Sequence, residues 1–71
     1  MSRPRAVTVA LLVVAACQPS AADHDQLGDR WYATGAYRDA LAEYQLGLKA
    51  NPGDPGLEAK LGAAALHVGD Y

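Results

Sequence analysis

The sequence contains a single cysteine among its 71 residues, and it is poor in positive charge. One cysteine excludes an intramolecular disulfide, so in an oxidising compartment Cys17 is free, joined to another chain, or chemically capped. From Cys17 onward four basic residues stand against eight acidic ones, which leaves this part of the chain with a net charge of −4. That balance excludes the basic surface that nucleic-acid binding requires.

Groups typical of catalysis or metal binding are also few. His24 and His67 are the only histidines, and no other Cys or His lies at metal-ligand spacing from either. Asp23, Asp25 and Asp29 cluster in one segment, but a charged run on a helix usually forms a solvated face. We therefore predict no catalytic residue, no metal site, no cofactor and no small-molecule substrate, and we do not expect an enzyme.

The apolar run at the start of the chain is too short to cross a membrane. It extends from Ala6 to Ala16 and contains Thr8 as its only polar residue, whereas a spanning helix needs roughly 17–25 apolar residues. Arg3 and Arg5 precede the run. A basic segment followed by a short apolar one is typical of an export signal, so residues 1–16 are predicted to be a signal peptide.

The apolar run closes with Val14-Ala15-Ala16-Cys17. Small residues before the cysteine admit a peptidase to the backbone, and a thiolate is a strong nucleophile that can accept a lipid. This segment resembles the bacterial lipobox. The resemblance implies that Cys17 receives a diacylglyceryl group, that the chain is cleaved between Ala16 and Cys17, and that the new amine is acylated. The alternative is an ordinary secretory signal cleaved near Ser20-Ala21-Ala22, which would discard Cys17.

Residues 17–22 are small or turn-forming and are predicted to be a flexible tether between the lipid and the folded part. Resemblance to lipoprotein sorting in bacteria with two membranes implies transport to the outer membrane, because the residue after the cysteine, Gln18, is not acidic. The expected location is therefore a lipid anchor in the cell membrane or outer membrane, with the protein facing the periplasm.

Three helical patterns follow the tether. The first covers about 23–34, with Asp23 and Gln26 spaced as a capping box, and Gly35 is suited to end it. The second covers 37–50, and its apolar residues form one continuous stripe at helical spacing. Asp54 is placed to cap a third helix that begins at Pro55.

The chain also resembles itself at a shift of 34 residues. The recurring residues are Leu27-Gly28 as Leu61-Gly62, Gly35 as Gly69, and Tyr37 as Tyr71. A helix-turn-helix unit with this period is similar to the tetratricopeptide repeat. The resemblance implies an all-α solenoid, with repeat 1 in residues 23–54 and the start of repeat 2 in 55–71, and we expect it to continue beyond Tyr71. The alternative is a generic helical hairpin bundle with a chance periodicity.

The resemblance assigns packing roles to individual residues. Gly28 and Ala40 are expected at a close crossing of the first two helices, with Trp31 and Tyr44 filling the space beside it. On this basis, replacing Gly28 with leucine should destabilise the protein, whereas Asp29→Leu should change its stability little. The sequence departs from the family pattern in having His24 in place of a tryptophan, Gly47 in place of an alanine, and Ala65 in place of an aromatic residue.

The first helix of each repeat lines a concave groove in this family. The matching positions here are Asp25, Asp29, Tyr32, Ala33, Ala59, Ala63, Leu66 and His67. Such a groove would suit a protein segment with a basic end and apolar anchors, although these residues could equally just face water. The function expected from the resemblance is a membrane-anchored periplasmic scaffold for protein–protein interaction, serving an envelope assembly or secretion system. The alternative is a targeting module of a longer enzyme or sensor whose catalytic domain lies beyond Tyr71.

Overall fold

The computed structural model describes residues 19–69, which form three consecutive helices joined by short turns. They are α1 (Ala21–Ala33), α2 (Tyr37–Ala50) and α3 (Pro55–Val68), and α2 packs against both of its neighbours. The prediction of an all-helical chain is confirmed for this part of the sequence. The predicted signal peptide and Cys17 lie outside the described residues.

Helix α1 begins two residues earlier than its sequence pattern indicates. Ser20, and not Asp23, is the N-cap: its hydroxyl accepts the Asp23 backbone N–H at 3.2 Å, and the Asp23 carboxylate accepts the Ser20 N–H at 3.0 Å. The predicted capping box between Asp23 and Gln26 is therefore wrong. A hydroxyl at the cap and a carboxylate three residues later satisfy two N–H groups at once, so the helix includes Ala21 and Ala22, which we assigned to the tether.

The turns between helices use glycine where the backbone becomes left-handed. Gly35 after α1 and Gly53 before α3 both have φ of 82°. The predicted cap of α3 is confirmed, because the Asp54 carboxylate accepts the backbone N–H groups of Gly56 and Leu57 at 2.9 and 3.2 Å. Side-chain caps therefore satisfy backbone N–H groups at the starts of α1 and α3, whereas α2 begins after Ala36 without a side-chain cap.

The packing of α1 on α2 centres on Gly28 and Tyr44. Tyr44 is 2% exposed and Ala40 is fully buried. A Cβ placed on Gly28 would overlap the Tyr44 ring, at 2.6 Å from Cδ1 and 2.9 Å from Cζ. A side chain at position 28 therefore has no room, and the expected close crossing at Gly28 is present. Trp31, however, is 43% exposed and does not fill the space beside this crossing, contrary to expectation.

The packing of α2 on α3 explains one departure from the repeat pattern. Leu57, 1% exposed, sits over Gly47, where a Cβ would lie 3.1 Å from Leu57 Cδ1. Glycine at position 47 thus leaves room for a large side chain on α3. The core is small and consists of Ala40, Tyr44, Leu57 and Ala64. Through this core, α1 and α3 both pack on α2.

Candidate binding cleft between α1 and α3

Between α1 and α3 lies an open cleft of about 400 Å³, with α2 behind it. It is lined by Asp29, Tyr32, Ala33, Tyr44, Lys60 and Ala63, and we refer to this set as the α1–α3 cleft. Helix α1 supplies three of the six residues, α3 supplies two, and α2 supplies the Tyr44 side chain. The small side chains of Ala33 and Ala63 keep the space open, while the other four bring polar groups and rings to it.

A polar network joins the three helices at this cleft. The Tyr44 hydroxyl donates to Asp29 Oδ1 at 2.7 Å. The Lys60 ammonium donates to Asp29 Oδ2 at 3.1 Å and to Asp25 Oδ1 at 2.7 Å. Asp29 therefore receives one hydrogen bond from α2 and one from α3. The buried Tyr44 ring obtains the partner that its hydroxyl requires.

The pKa values of Asp29, Tyr44 and Lys60 are all shifted in this network. The hydrogen bond from Tyr44 holds the pKa of Asp29 below its ordinary value of 3.8, with Lys60 acting in the same direction. Burial, together with Asp29, raises the pKa of the Tyr44 phenol above its ordinary 10.0. Hydrogen bonds to Asp25 and Asp29 raise the pKa of Lys60 above 10.5. Because the pKa of Asp29 is lowered and that of Lys60 is raised, both are charged at neutral pH, so Lys60 is a cation and not a nucleophile.

Three rings pack together where the ends of all three helices meet. The His67 ring stacks on Tyr37 with centroids 4.0 Å apart and an interplanar angle of 7°. Tyr32 meets both rings edge-on, at 5.1 Å from Tyr37 and 5.5 Å from His67. Tyr32 belongs to the cleft lining, so this cluster holds one wall of the cleft in place.

The residues predicted for the groove divide into three groups. Asp29, Tyr32, Ala33 and Ala63 line the α1–α3 cleft. Asp25 and His67 border it, Asp25 through Lys60 and His67 through Tyr32. Ala59 and Leu66 are exposed and do not line it, and the Leu66 side chain is 59% exposed.

Sequence reasoning missed Lys60 and the polar role of Tyr44. Lys60 is the only lysine or arginine in α3, and the 34-residue period aligns it with Gln26, beside Asp25 on α1. That alignment is a signal that could have identified the ion pair. Because Asp29 bonds both Tyr44 and Lys60, the structure leads us to expect that Asp29→Leu lowers stability, whereas the sequence predicted little change.

The other histidine joins α1 to α2 away from the cleft. His24 Nδ1 lies 2.8 Å from Glu43 Oε1, and both side chains are largely buried. His24 thus takes a helix-packing position where the repeat pattern has tryptophan, and a polar pair replaces a large ring.

The cleft combines charged groups with an apolar wall. Two carboxylates and one ammonium give it a small negative excess beside an apolar wall. Within residues 19–69, no three His, Cys, Asp or Glu side chains are grouped so as to hold a metal ion. None of the helices between Ala21 and Val68 has the length and hydropathy that crossing a bilayer requires.

Comparison with known proteins adds no relative. No protein-family model matches the chain, and neither curated proteins nor solved structures give a significant match.

Proposed function

We propose that this chain belongs to an exported lipoprotein, anchored through Cys17, whose tetratricopeptide-like helices hold a segment of a partner protein in the α1–α3 cleft. It acts as a protein–protein interaction scaffold of an envelope assembly or secretion system. The observation that carries the binding role is the cleft itself: an open space of about 400 Å³ with an apolar wall and a fixed set of charges. A cavity of this size suits one or two side chains of a bound segment.

The charges of the cleft determine which kind of partner segment it would bind. Lys60 is already engaged by Asp25 and Asp29, whose side chains remain 35% and 51% exposed. Exposed carboxylate surface beside Ala33 and Ala63 favours an apolar side chain followed by a lysine or arginine. Because hydrogen bonds from α2 and α3 hold Asp29 in place, the carboxylate does not need to be ordered when the partner binds.

The lipoprotein part of the proposal is supported by sequence. Cys17 stands directly at the end of the apolar run, after two alanines. Several acyl chains on one residue hold a protein stably on a membrane, since each buried methylene contributes about 0.8 kcal/mol.

Site-specific photo-crosslinking in cells tests the binding role. A benzophenone amino acid at position 33 or 63 should yield a crosslink to one protein, whereas the same probe at Leu46, an exposed residue of α2 outside the cleft lining, should not. If positions 33 and 63 give no crosslink, or the same products as position 46, the cleft is not the binding site.

The mass of the mature N-terminus tests the anchor. The wild-type protein should begin at Cys17 with the added mass of its acyl groups and should fractionate with membranes. Cys17→Ser should remain uncleaved and unmodified. A mature wild-type chain that is not acylated and begins after Ser20 would show that the signal is an ordinary secretory one.

A further inference from the structure

Helix α1 exposes two large apolar side chains. Leu27 is 37% exposed and Trp31 is 43% exposed. Residues four apart on a helix lie one above the other, so these side chains form a single patch, which we call the α1 outer face. Trp31 is the only tryptophan of the 71 residues.

The α1 outer face lies away from the α1–α3 cleft. At 3.6 residues per turn, Leu27 and Trp31 each lie about 200° around the helix from Asp29. Asp29 lines the cleft, so a segment bound in the cleft leaves the outer face uncovered.

The distance from Cys17 limits what can cover this face. Two residues, Gln18 and Pro19, separate Cys17 from the Ser20 cap, so three residue steps join them, and a fully extended chain covers at most about 3.3–3.6 Å per step. The start of α1 is therefore within roughly 11 Å of Cys17. With a rise of about 1.5 Å per residue, Leu27 and Trp31 lie about 9 and 15 Å further along the helix from Ala21.

We propose that the α1 outer face lies in the interfacial region of the bilayer that anchors Cys17, with α1 parallel to the membrane plane. This inference rests on the lipidation proposed above. Leucine and tryptophan on one side of a helix are typical of interfacial helices, and tryptophan is enriched at the level of the lipid headgroups. Asp23, four residues before Leu27, and Arg30, three residues after it, give this face one charge of each sign, and Arg30 can reach a headgroup phosphate.

The short tether favours a bilayer over a second protein as the occupant of this face. A short tether keeps the bilayer at a high effective concentration beside α1, whereas a second protein must arrive from solution. The net charge of −4 from Cys17 onward gives no electrostatic attraction to anionic lipid, so the contact is apolar and depends on the anchor. With its outer face on the membrane, α1 presents the α1–α3 cleft to the periplasm.

Tryptophan fluorescence in vesicles of known composition tests the orientation. The acylated chain is reconstituted in phosphatidylcholine vesicles with or without brominated acyl chains, and its helix content is checked by circular dichroism. We expect brominated lipid to quench Trp31 and aqueous iodide to quench it weakly. Replacing part of the phosphatidylcholine with phosphatidylglycerol should leave the quenching unchanged.

A matched variant places the same probe on another helix. Leu46 of α2 is 43% exposed, the same fraction as Trp31. In the double variant Trp31→Tyr/Leu46→Trp, the tryptophan should be quenched by iodide and not by brominated lipid. Equal quenching of both positions by brominated lipid would overturn the proposed orientation.

The remaining outcomes separate the inference from the proposed anchor. If the acylated chain floats with the vesicles while iodide alone quenches Trp31, the lipid anchor is supported, but the α1 outer face does not contact the bilayer. If Trp31 is protected from both quenchers and the chain crosslinks to itself, a second copy covers the face and the inference is likewise wrong. If the chain exported by cells carries no acyl group, the proposed anchor fails, and the inference fails with it.

Discussion

Gly28 and Gly62 occupy equivalent positions of the 34-residue period, but only Gly28 is packed against another helix. A Cβ at Gly28 would overlap the Tyr44 ring, whereas a Cβ at Gly62 would meet no atom within 4 Å in the described part of the chain. The same substitution at the two sites therefore separates the effect of helix propensity from that of packing.

Gly28→Ala should lower the free energy of unfolding, and Gly62→Ala should raise it. Alanine gains about 0.8–1.0 kcal/mol over glycine in a helix interior. At position 28 overpacking costs about 1–3 kcal/mol, because the Tyr44 ring is buried and its hydroxyl is held by Asp29, so it cannot move aside. Thermal unfolding followed by circular dichroism on residues 17–71 measures both. A stabilising Gly28→Ala would contradict the close crossing.

Gly62 also tests the repeat in a longer form of the protein. If a further helix packs on α3 as α2 packs on α1, Gly62→Ala should become destabilising in that form, by an amount similar to Gly28→Ala. A stabilising effect in both forms would argue against a second complete repeat.

Lys60→Met should lower stability by about 0.5–1 kcal/mol, because exposed ion pairs contribute little individually and two are lost here. Lys49→Met is the matched control: Lys49 is exposed in the last turn of α2 and forms none of the ion pairs found in residues 19–69. Urea unfolding at low and high salt measures the difference, which should shrink with salt. If Lys60→Met and Lys49→Met changed stability equally, the ion pairs of Lys60 with Asp25 and Asp29 would make no contribution to stability.

Stability should fall at both extremes of pH. Because the folded-state pKa of Asp29 is lowered, its contribution is present above pH 3.8 and is lost as the pH falls through the folded value. Because the pKa values of Tyr44 and Lys60 are raised, their contributions are present below about pH 10 and are lost as the pH rises through the folded values. Urea midpoints measured from pH 2.5 to 11 check this.

Tyr44→Phe should reduce the pH dependence at both ends, because it removes the phenol and one of the hydrogen bonds that lower the pKa of Asp29. It should also cost about 0.5–1.5 kcal/mol at neutral pH, the net value of a typical hydrogen bond. If stability fell at low pH in this variant as it does in the wild type, Lys60 alone would lower the pKa of Asp29.

Ser20→Ala should destabilise α1 by about 0.5–2 kcal/mol, because it leaves the Asp23 N–H without the hydroxyl acceptor. Gln26→Ala, at the position predicted from the sequence to complete the capping box, should have little effect. The helical signal of residues 17–71 at low temperature measures both. If Gln26→Ala destabilised the helix more than Ser20→Ala, the capping box between Asp23 and Gln26 predicted from the sequence would be correct after all.

The sequence alone determined the helices and most of their ends. Apolar spacing near 3.6 predicted three helices, and Gly35, Asp54 and Pro55 marked their boundaries because turns and caps depend on local backbone geometry. The start of α1 was misread because two capping patterns overlap at Asp23, and only hydrogen-bond geometry distinguishes them. The small residue at Gly28 indicated a close crossing, and Tyr44 of α2 lies beside it as expected from the sequence.

Only the tertiary structure decided how the charges meet. Lys60 lies 35 residues after Asp25 and 31 after Asp29, and it reaches both because α2 holds α1 and α3 side by side. Likewise, an aromatic residue at position 31 is compatible with a core position or an exposed one, since helical spacing fixes the direction of a side chain but not what lies opposite it. The structure leaves Trp31 43% exposed, outside the cluster of Ala40, Tyr44, Leu57 and Ala64.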